Sequence, residues 1–170
     1  MSRNIHEKEM NAQQNLFETM SGKKDRAASA VMYCDGASSG NPGNSGTGVV
    51  ITLSEKDAGL LGLDSEYRIS EYIGIATNNV AEYSALIKGL EKARSLGIRR
   101  IKVYLDSELL VRQMNGIYKV KNKNLMPLWI RANNILKDFD SAHISHVRRE
   151  MNREADALAR EASKKKPERS

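Results

Sequence analysis

The 170-residue chain holds one cysteine, Cys34. No intrachain disulfide and no cysteine-built metal cluster is therefore available. Cys34 stands in the middle of an apolar run and reads as a small buried hydrophobe. Aromatic residues make up 5% of the sequence, so a core must come from Val, Ile, Leu and Ala. No apolar stretch approaches the roughly 18 residues that span a bilayer. The first thirty residues lack the apolar centre of a secretory signal. A soluble cytoplasmic protein with no membrane partner is the expectation. The glycine-rich stretch at 40–48 lacks the Gly-Lys-Ser/Thr ending of a nucleotide-binding P-loop, which argues against ATP or GTP there.

Lysine and arginine outnumber acids, giving a formal net charge of +6. A moderate basic excess suits a polyanionic partner but says nothing about fold. Part of it is terminal, in Lys164, Lys165 and Lys166, where a charge run is ordinarily a solvated helix end. Length points to one domain. Residues 1–28 are polar, with Met10, Leu16, Phe17 and Met20 at loosely helical spacing. They read as a disordered extension or one marginal helix. The folded domain is expected over 29–165, with a flexible tail at 166–170.

Strands are predicted at 30–35, about 46–53 and about 66–76, with turns and a Gly-rich loop at 54–64. Short links make these an antiparallel meander. From Val80 the apolar positions Val80, Tyr83, Ile87, Leu90 and Ala93 fall near a 3.6 repeat, and Gly97 ends that helix. Ile101, Val103 and Leu105 alternate in a strand over 100–105, and a short helix runs to about 114. A basic loop holds Lys119, Lys121 and Lys123. A helix is predicted over 125–139, a short strand around Ile144 and Val147, and a last helix from Asn152 to about Lys165. The sum is an α/β sandwich on one mixed sheet.

In such sheets, sites gather where strands end and helices begin. Four carboxylates pass that filter. Asp35 closes the first apolar run before Gly36 and a turn through Asn41-Pro42-Gly43. Glu82 lies in the first turn of the long helix. Asp106 closes the 100–105 strand. Asp156 lies in the first turn of the last helix. Each also has a plain structural explanation. Asp35-Gly36 is a hairpin dipeptide, Asn79 with Glu82 spells a capping box, Asp106 could cap a helix, and Asp156 complements a helix dipole. Gathered at one sheet edge, however, four acids repel, and divalent cations are the usual remedy. Hard oxygen ligands favour Mg²⁺ or Mn²⁺. Two such ions about 3.5–4 Å apart are the apparatus of in-line phosphoryl displacement.

Asp35-Gly-Ala-Ser-Ser-Gly-Asn-Pro-Gly43, Thr77-Asn78-Asn79-Val-Ala-Glu82, Asp106-Ser107 and Asn152-Arg-Glu-Ala-Asp156 resemble, in order and spacing, the motifs of type 1 ribonuclease H. The resemblance covers about residues 30–163. It implies a ribonuclease H-like fold: a five-stranded mixed sheet, with an antiparallel 1-2-3 meander and then parallel strands, flanked by helices. It further implies an endonuclease that cleaves RNA paired to DNA with two Mg²⁺ ions, Mn²⁺ substituting, and leaves a 3′-hydroxyl and a 5′-phosphate. Asp35, Glu82, Asp106 and Asp156 match the family's catalytic metal-binding acids. Gly36, Asn41, Thr77, Asn78, Asn79, Ser107, Glu108 and Asn152 fall at positions implied to contact substrate. Lys119, Lys121, Lys123, Arg148 and Arg149 are the remaining candidates for gripping phosphates.

The chain departs from the family pattern in three places. The stretch from His146 to Asn152 is shorter than the flexible histidine loop of many bacterial members, with Arg148, Arg149 or Glu150 as possible stand-ins. Glu108 stands where the best-studied members carry Gln. The basic helical protrusion is missing. These features resemble a compact bacterial or archaeal branch, some of which accepts double-stranded RNA, and the expected state is a monomer. The competing readings are an inactive nucleic-acid-binding module that keeps the fold and another two-metal nuclease or a strand-transfer enzyme on the same fold. Retention of all four acids argues against the first, and the Asn-Pro-Gly and Thr-Asn-Asn blocks argue against the second.

Overall fold

Five strands, β1 (Ser29–Ser38), β2 (Gly43–Leu53), β3 (Glu66–Ala76), β4 (Arg100–Leu105) and β5 (Ser141–His146), form one sheet in the order β3-β2-β1-β4-β5. β1 pairs antiparallel with β2, and β2 with β3. β4 lies parallel to β1 and β5 parallel to β4. The expected mixed α/β sheet is thus present. The structure, a computed structural model, describes residues 8–16 and 27–165. The rest of the expected N-terminal extension, and the tail at 166–170, lie outside the described residues. Residues 8–16 form a helix, α1, exposed along its length. The packed unit already includes Ala28, which is buried and whose carbonyl accepts from the Arg99 and Arg100 N–H groups. The expected boundary at 29 therefore falls one residue inside it.

The remaining helices are α2 (Glu55–Leu61), α3 (Asn78–Ser95), α4 (Glu108–Met114), α5 (Met126–Leu136) and α6 (Arg153–Lys164), with a 3₁₀ turn at Arg149–Asn152. Among the described residues, no helix is long and apolar enough to cross a membrane. The alternation of the strands sends Met32, Cys34, Val49, Ile51, Val103 and Leu105 into one core with Ala85, Leu86 and Leu90 of α3. As expected, Cys34 is a buried free thiol. α2 replaces the Gly-rich loop expected at 54–64. Ser54 caps it by accepting from the Asp57 N–H, and Gly62 ends it in the left-handed region. Seven residues with a glycine inside make too few turns to show a helical period.

Three glycines set how closely helices approach the sheet. A Cβ at Gly36 would overlap the backbone of Ala81 and Glu82 in α3. A Cβ at Gly48 would overlap the Ala155 carbonyl of α6, and one at Gly46 the Ser163 N–H and Ala159 carbonyl. Gly48 pairs with Asp35 across the β1–β2 ladder, and Gly36 with Thr47. Adjacent strand residues point to opposite faces, so α3 and α6 press on the same stretch of sheet from its two sides. α6 meets the sheet with Ala155, Ala159 and Ala162, all fully buried. Such small side chains bury little area, and polar anchors add to the contact. Ser70 Oγ donates to the Leu158 carbonyl at 2.8 Å, and Asn152 Nδ2 donates to the Cys34 carbonyl at 3.0 Å.

Gly48→Ala is expected to destabilise the protein by about 1–3 kcal/mol, because it forces a methyl group into a filled contact. Gly59→Ala in α2, where an added Cβ meets open space, should instead add up to about 1 kcal/mol by removing a flexible residue from a helix. Urea denaturation midpoints of the two variants, taken at unchanged slope, check both signs.

Candidate active site

Asp35 does not end its strand. β1 runs three residues further, and the turn lies beyond Ser38. The Asp35-Gly36 pair is therefore not a hairpin dipeptide. What ends near Asp35 is the parallel pairing of β1 with β4, whose last matched residues are Tyr33 and Tyr104. Continued by two residues, that register sets Asp35 beside Asp106. Asp106 follows β4, and it is Ser107 that caps α4, accepting from the Leu110 N–H at 3.3 Å. The capping explanation for Asp106 is thereby removed.

The capping box at Asn79 and Glu82 is absent as well. Thr77 caps α3, accepting from the Val80 N–H at 3.2 Å. Glu82 is left facing the cleft and receives a hydrogen bond from Ser107. Its neighbour Tyr83 is buried, and the hydroxyl donates to Gln113 Oε1 at 2.7 Å, which locks the first turns of α3 onto α4. Asp156 arrives from the other face, one turn into α6, where Arg160 Nε donates to it at 3.0 Å.

All four acids line one open cleft of about 650 Å³. Along one side run Gly36 to Ser39 and Asn78, and along the other Arg149, Arg160, Ser163 and Lys164. Burial pushes the Asp35 carboxyl up to about 8, the charge on Asp106 adds to it, and a hydrogen bond with Asp156 and the charges of Asp156 and Glu82 contribute further. Glu82 is pushed up to about 7, chiefly by burial, with the Ser107 hydrogen bond opposing and Asp106 adding. Burial and the charges of Asp35, Glu82 and Asp106 also push the Cys34 thiol well up, which keeps it protonated and inert.

The donor set suits a hard divalent cation: four carboxylates, two of them with proton affinity raised into the neutral range, chiefly by burial and further by the neighbouring acids. Among the described residues, no three such side chains are already closed round one ion position. Mg²⁺ ordinarily uses one or two carboxylates and completes its shell with water and substrate oxygens, so an open arrangement fits a site that takes its ions together with a phosphodiester.

The other expected site residues separate into groups. Asn78 N–H donates to Asn41 Oδ1 and Asn78 Oδ1 accepts from the Ser38 N–H, both at 3.1 Å. With the Thr77 cap, these side chains tie the β1–β2 turn to the start of α3. Asn79 is exposed beside them. Arg149 lines the cleft, while Arg148, Glu108 and Lys119, Lys121 and Lys123 do not. Glu108 is exposed and paired with Arg112 at 2.7 Å. Asn152, expected against substrate, is 1% exposed and is instead the anchor of α6 on β1. Gly36 serves helix approach as well as lining the cleft. Lys164, read in the sequence as part of a solvated helix end, lines the cleft, and Ser163 and Arg160 join it without having stood out in the sequence. The four-residue spacing of Asp156 and Arg160 was the available signal for the last.

Comparison with known proteins accords with this geometry. The family described as reverse transcriptase-like matches residues 33–162. Ribonuclease HI of Halobacterium salinarum is 40% identical over 138 residues, covering 81% of this chain and 66% of that protein. The crystal structure of the RNase H1 from that archaeon superposes with a TM-score of 0.70 at 40% identity, covering 79% of this chain and 96% of that one. The chain belongs to the type 1 ribonuclease H family. A compost-derived ribonuclease H1 solved in complex with an RNA/DNA hybrid is similarly close, with a TM-score of 0.69 at 40% identity over 78% of this chain and 95% of that one. A bifunctional protein of Mycobacterium tuberculosis is 39% identical over 132 residues, or 78% of this chain. The chain spans about a third (35%) of the length of such mycobacterial relatives. Relative to the family pattern, this ribonuclease H-type domain is compact. No helix separates α4 from α5, and only a 3₁₀ turn separates β5 from α6.

The raised acids fix a pH dependence. Asp35 and Glu82 hold protons in the folded protein that the unfolded chain releases above about pH 4. The folded form then binds more protons between about pH 4 and 8, and stability falls as pH rises across that window. In chelator, the melting temperature is expected to drop from pH 5 to 8, and Asp35→Asn should flatten the drop by removing the largest contributor. A wild-type protein that grows more stable relative to Asp35→Asn across this window would contradict the assignment.

Proposed function

We propose that this protein is a ribonuclease H that hydrolyses the RNA strand of RNA/DNA hybrids with two divalent cations, acting as a monomer in the cytoplasm. The observation that carries the reading is the meeting of Asp35, Glu82, Asp106 and Asp156 in one open cleft, with the hairpin and capping explanations for three of them removed. The solved relative bound to a hybrid supports the substrate class. The single cysteine, buried and free, suits a reducing compartment.

Mg²⁺ or Mn²⁺, when bound, supplies the positive charge that steadies both the attacking and the leaving oxygen of an in-line displacement. The chain's own groups do the rest. Asp35, centrally placed and most buried, would hold the cations together with Glu82, Asp106 and Asp156, and would do so as the ionised carboxylate. Ser107 holds Glu82 toward the cleft. Half-buried Ser38 and exposed Ser39 and Asn78 face the strand from the turn side, with short polar groups able to reach a 2′-hydroxyl, the group that marks RNA. Arg149 meets phosphates from the opposite side. Water attacks phosphorus, the bond to the 3′-oxygen breaks, and that oxygen takes a proton. The products are a 3′-hydroxyl and a 5′-phosphate. Lys119, Lys121 and Lys123, exposed on the α4–α5 connection, would touch only a duplex long enough to extend past the cleft.

A gel with one labelled strand, offered as hybrid, duplex DNA, duplex RNA or single strand, tests the reading. RNA cleavage in the hybrid is expected, and double-stranded RNA measures how strict the choice is. Asp35→Asn, Glu82→Gln and Asp106→Asn should each lower turnover by about 100- to 1,000-fold or more, the scale of losing one group that stabilises transition-state charge, while the variants melt cooperatively. Asp156→Asn should be the mildest, because Asp156 sits on a terminal helix. Turnover near wild type for Asp35→Asn would refute the mechanism.

A further inference from the structure

Helix α6 brings both an acid and cations to the cleft. Arg160 lies one turn beyond Asp156 and holds its carboxylate at 3.0 Å. Lys164, one turn further, lines the same cleft. Among the described residues, Asp156 is the one acid of the four in an ion pair. Other pairs at this spacing occur on exposed faces, Arg112–Glu108 and Lys165–Glu161, where the acids are 61% and 63% exposed. Asp156 is 23% exposed, whereas the Arg160 side chain is 55% exposed and has room to move. An acid this enclosed beside three others needs a counter-charge while the cleft is empty. Once a cation and a phosphodiester are present, a guanidinium against Asp156 would compete with the cation. The same guanidinium matches the oxygens of a phosphodiester with two parallel donors.

We infer that Arg160 is an exchangeable counter-ion, holding Asp156 in the empty cleft and passing to a phosphate oxygen of the bound strand when Asp156 takes a divalent cation. The inference rests on the acids being the cation site proposed above and adds to it a positioning and phosphate-contacting residue. It also gives the acid on the terminal helix a defined place before the ions arrive, without which cation binding would have to order it.

The test is Mn²⁺ and Mg²⁺ binding to the substrate-free protein by calorimetry, together with steady-state kinetics on a hybrid at saturating Mg²⁺. Arg160→Gln should bind the cation about two- to fivefold more tightly than wild type, the range an ion pair of this kind is worth. It should also raise KM for the hybrid severalfold while kcat changes less. Arg160→Lys, which keeps the charge and loses the fork, should fall between. Lys164→Gln, which removes a neighbouring charge that does not pair with Asp156, should leave cation affinity unchanged. Equal tightening in Lys164→Gln and Arg160→Gln would reduce the effect to net charge and overturn the inference, as would an Arg160→Gln protein with unchanged cation affinity or unchanged KM. A wild-type protein that binds no divalent cation would overturn the proposed function itself, and this inference with it.

Discussion

The closeness of two helices to the backbone of β1 and β2 governs the rest of the molecule. α3 lies against Gly36 and α6 against Gly48, at distances that no residue with a Cβ permits. The two contacts are one residue apart along the β1–β2 ladder and on opposite faces. Asp35 is next to Gly36 in sequence and paired with Gly48 across the ladder, so the helix that carries Glu82 and the helix that carries Asp156 are both brought to it. Asp106 comes from the neighbouring strand by register. Geometry that looks like a property of four acids is therefore imposed largely by residues with no side chain.

Bringing four acids together raises their free energy, and the structure shows how the strain is held. Asp35 and Glu82 keep protons that ordinary carboxyls lose, and Asp156 takes Arg160 as partner. The surrounding anchors are neutral and buried: Tyr83 on Gln113, and Asn152 on the Cys34 carbonyl. These hold the acids in place whether or not a cation is present, and a preorganised charge cluster is what electrostatic catalysis requires. Oδ1 of Asn152 is buried without a protein partner, which marks this anchor as one chosen for position over full hydrogen bonding.

Much of this was legible in the sequence. Alternating apolar residues gave the strands, the 3.6 period gave α3, and the four acids stood out by their places between elements. Their motif context gave the family. What escaped was whatever depends on burial or close approach. Asn152 looks the same in sequence whether it faces substrate or a buried carbonyl. Gly36 reads as turn punctuation beside an aspartate, and only the arrival of α3 shows that it is a contact surface. Glu82 three residues after Asn79 mimics a capping box, yet the helix starts two residues earlier than that motif requires. The Arg160 partner was visible at four-residue spacing but resembles any charged pair on a solvated helix. α2 was too short to declare a period.

The central claim is that the four acids act as one unit whose shared charge is eased, without cations, by protons on Asp35 and Glu82 and by Arg160 at Asp156, and by divalent cations when working. Proton release on cation binding tests it most directly, because a cation that displaces held protons must liberate them. Calorimetric titration of Mn²⁺ into the substrate-free protein at pH 7, in two buffers of different ionisation enthalpy, gives the number released. With Asp35 and Glu82 raised as they are, about one proton should leave wild type per protein, and clearly fewer should leave Asp35→Asn. Cation binding at this site with no proton released would show that Asp35 and Glu82 were already ionised, and would contradict a cluster whose charge is eased by protons on those two acids.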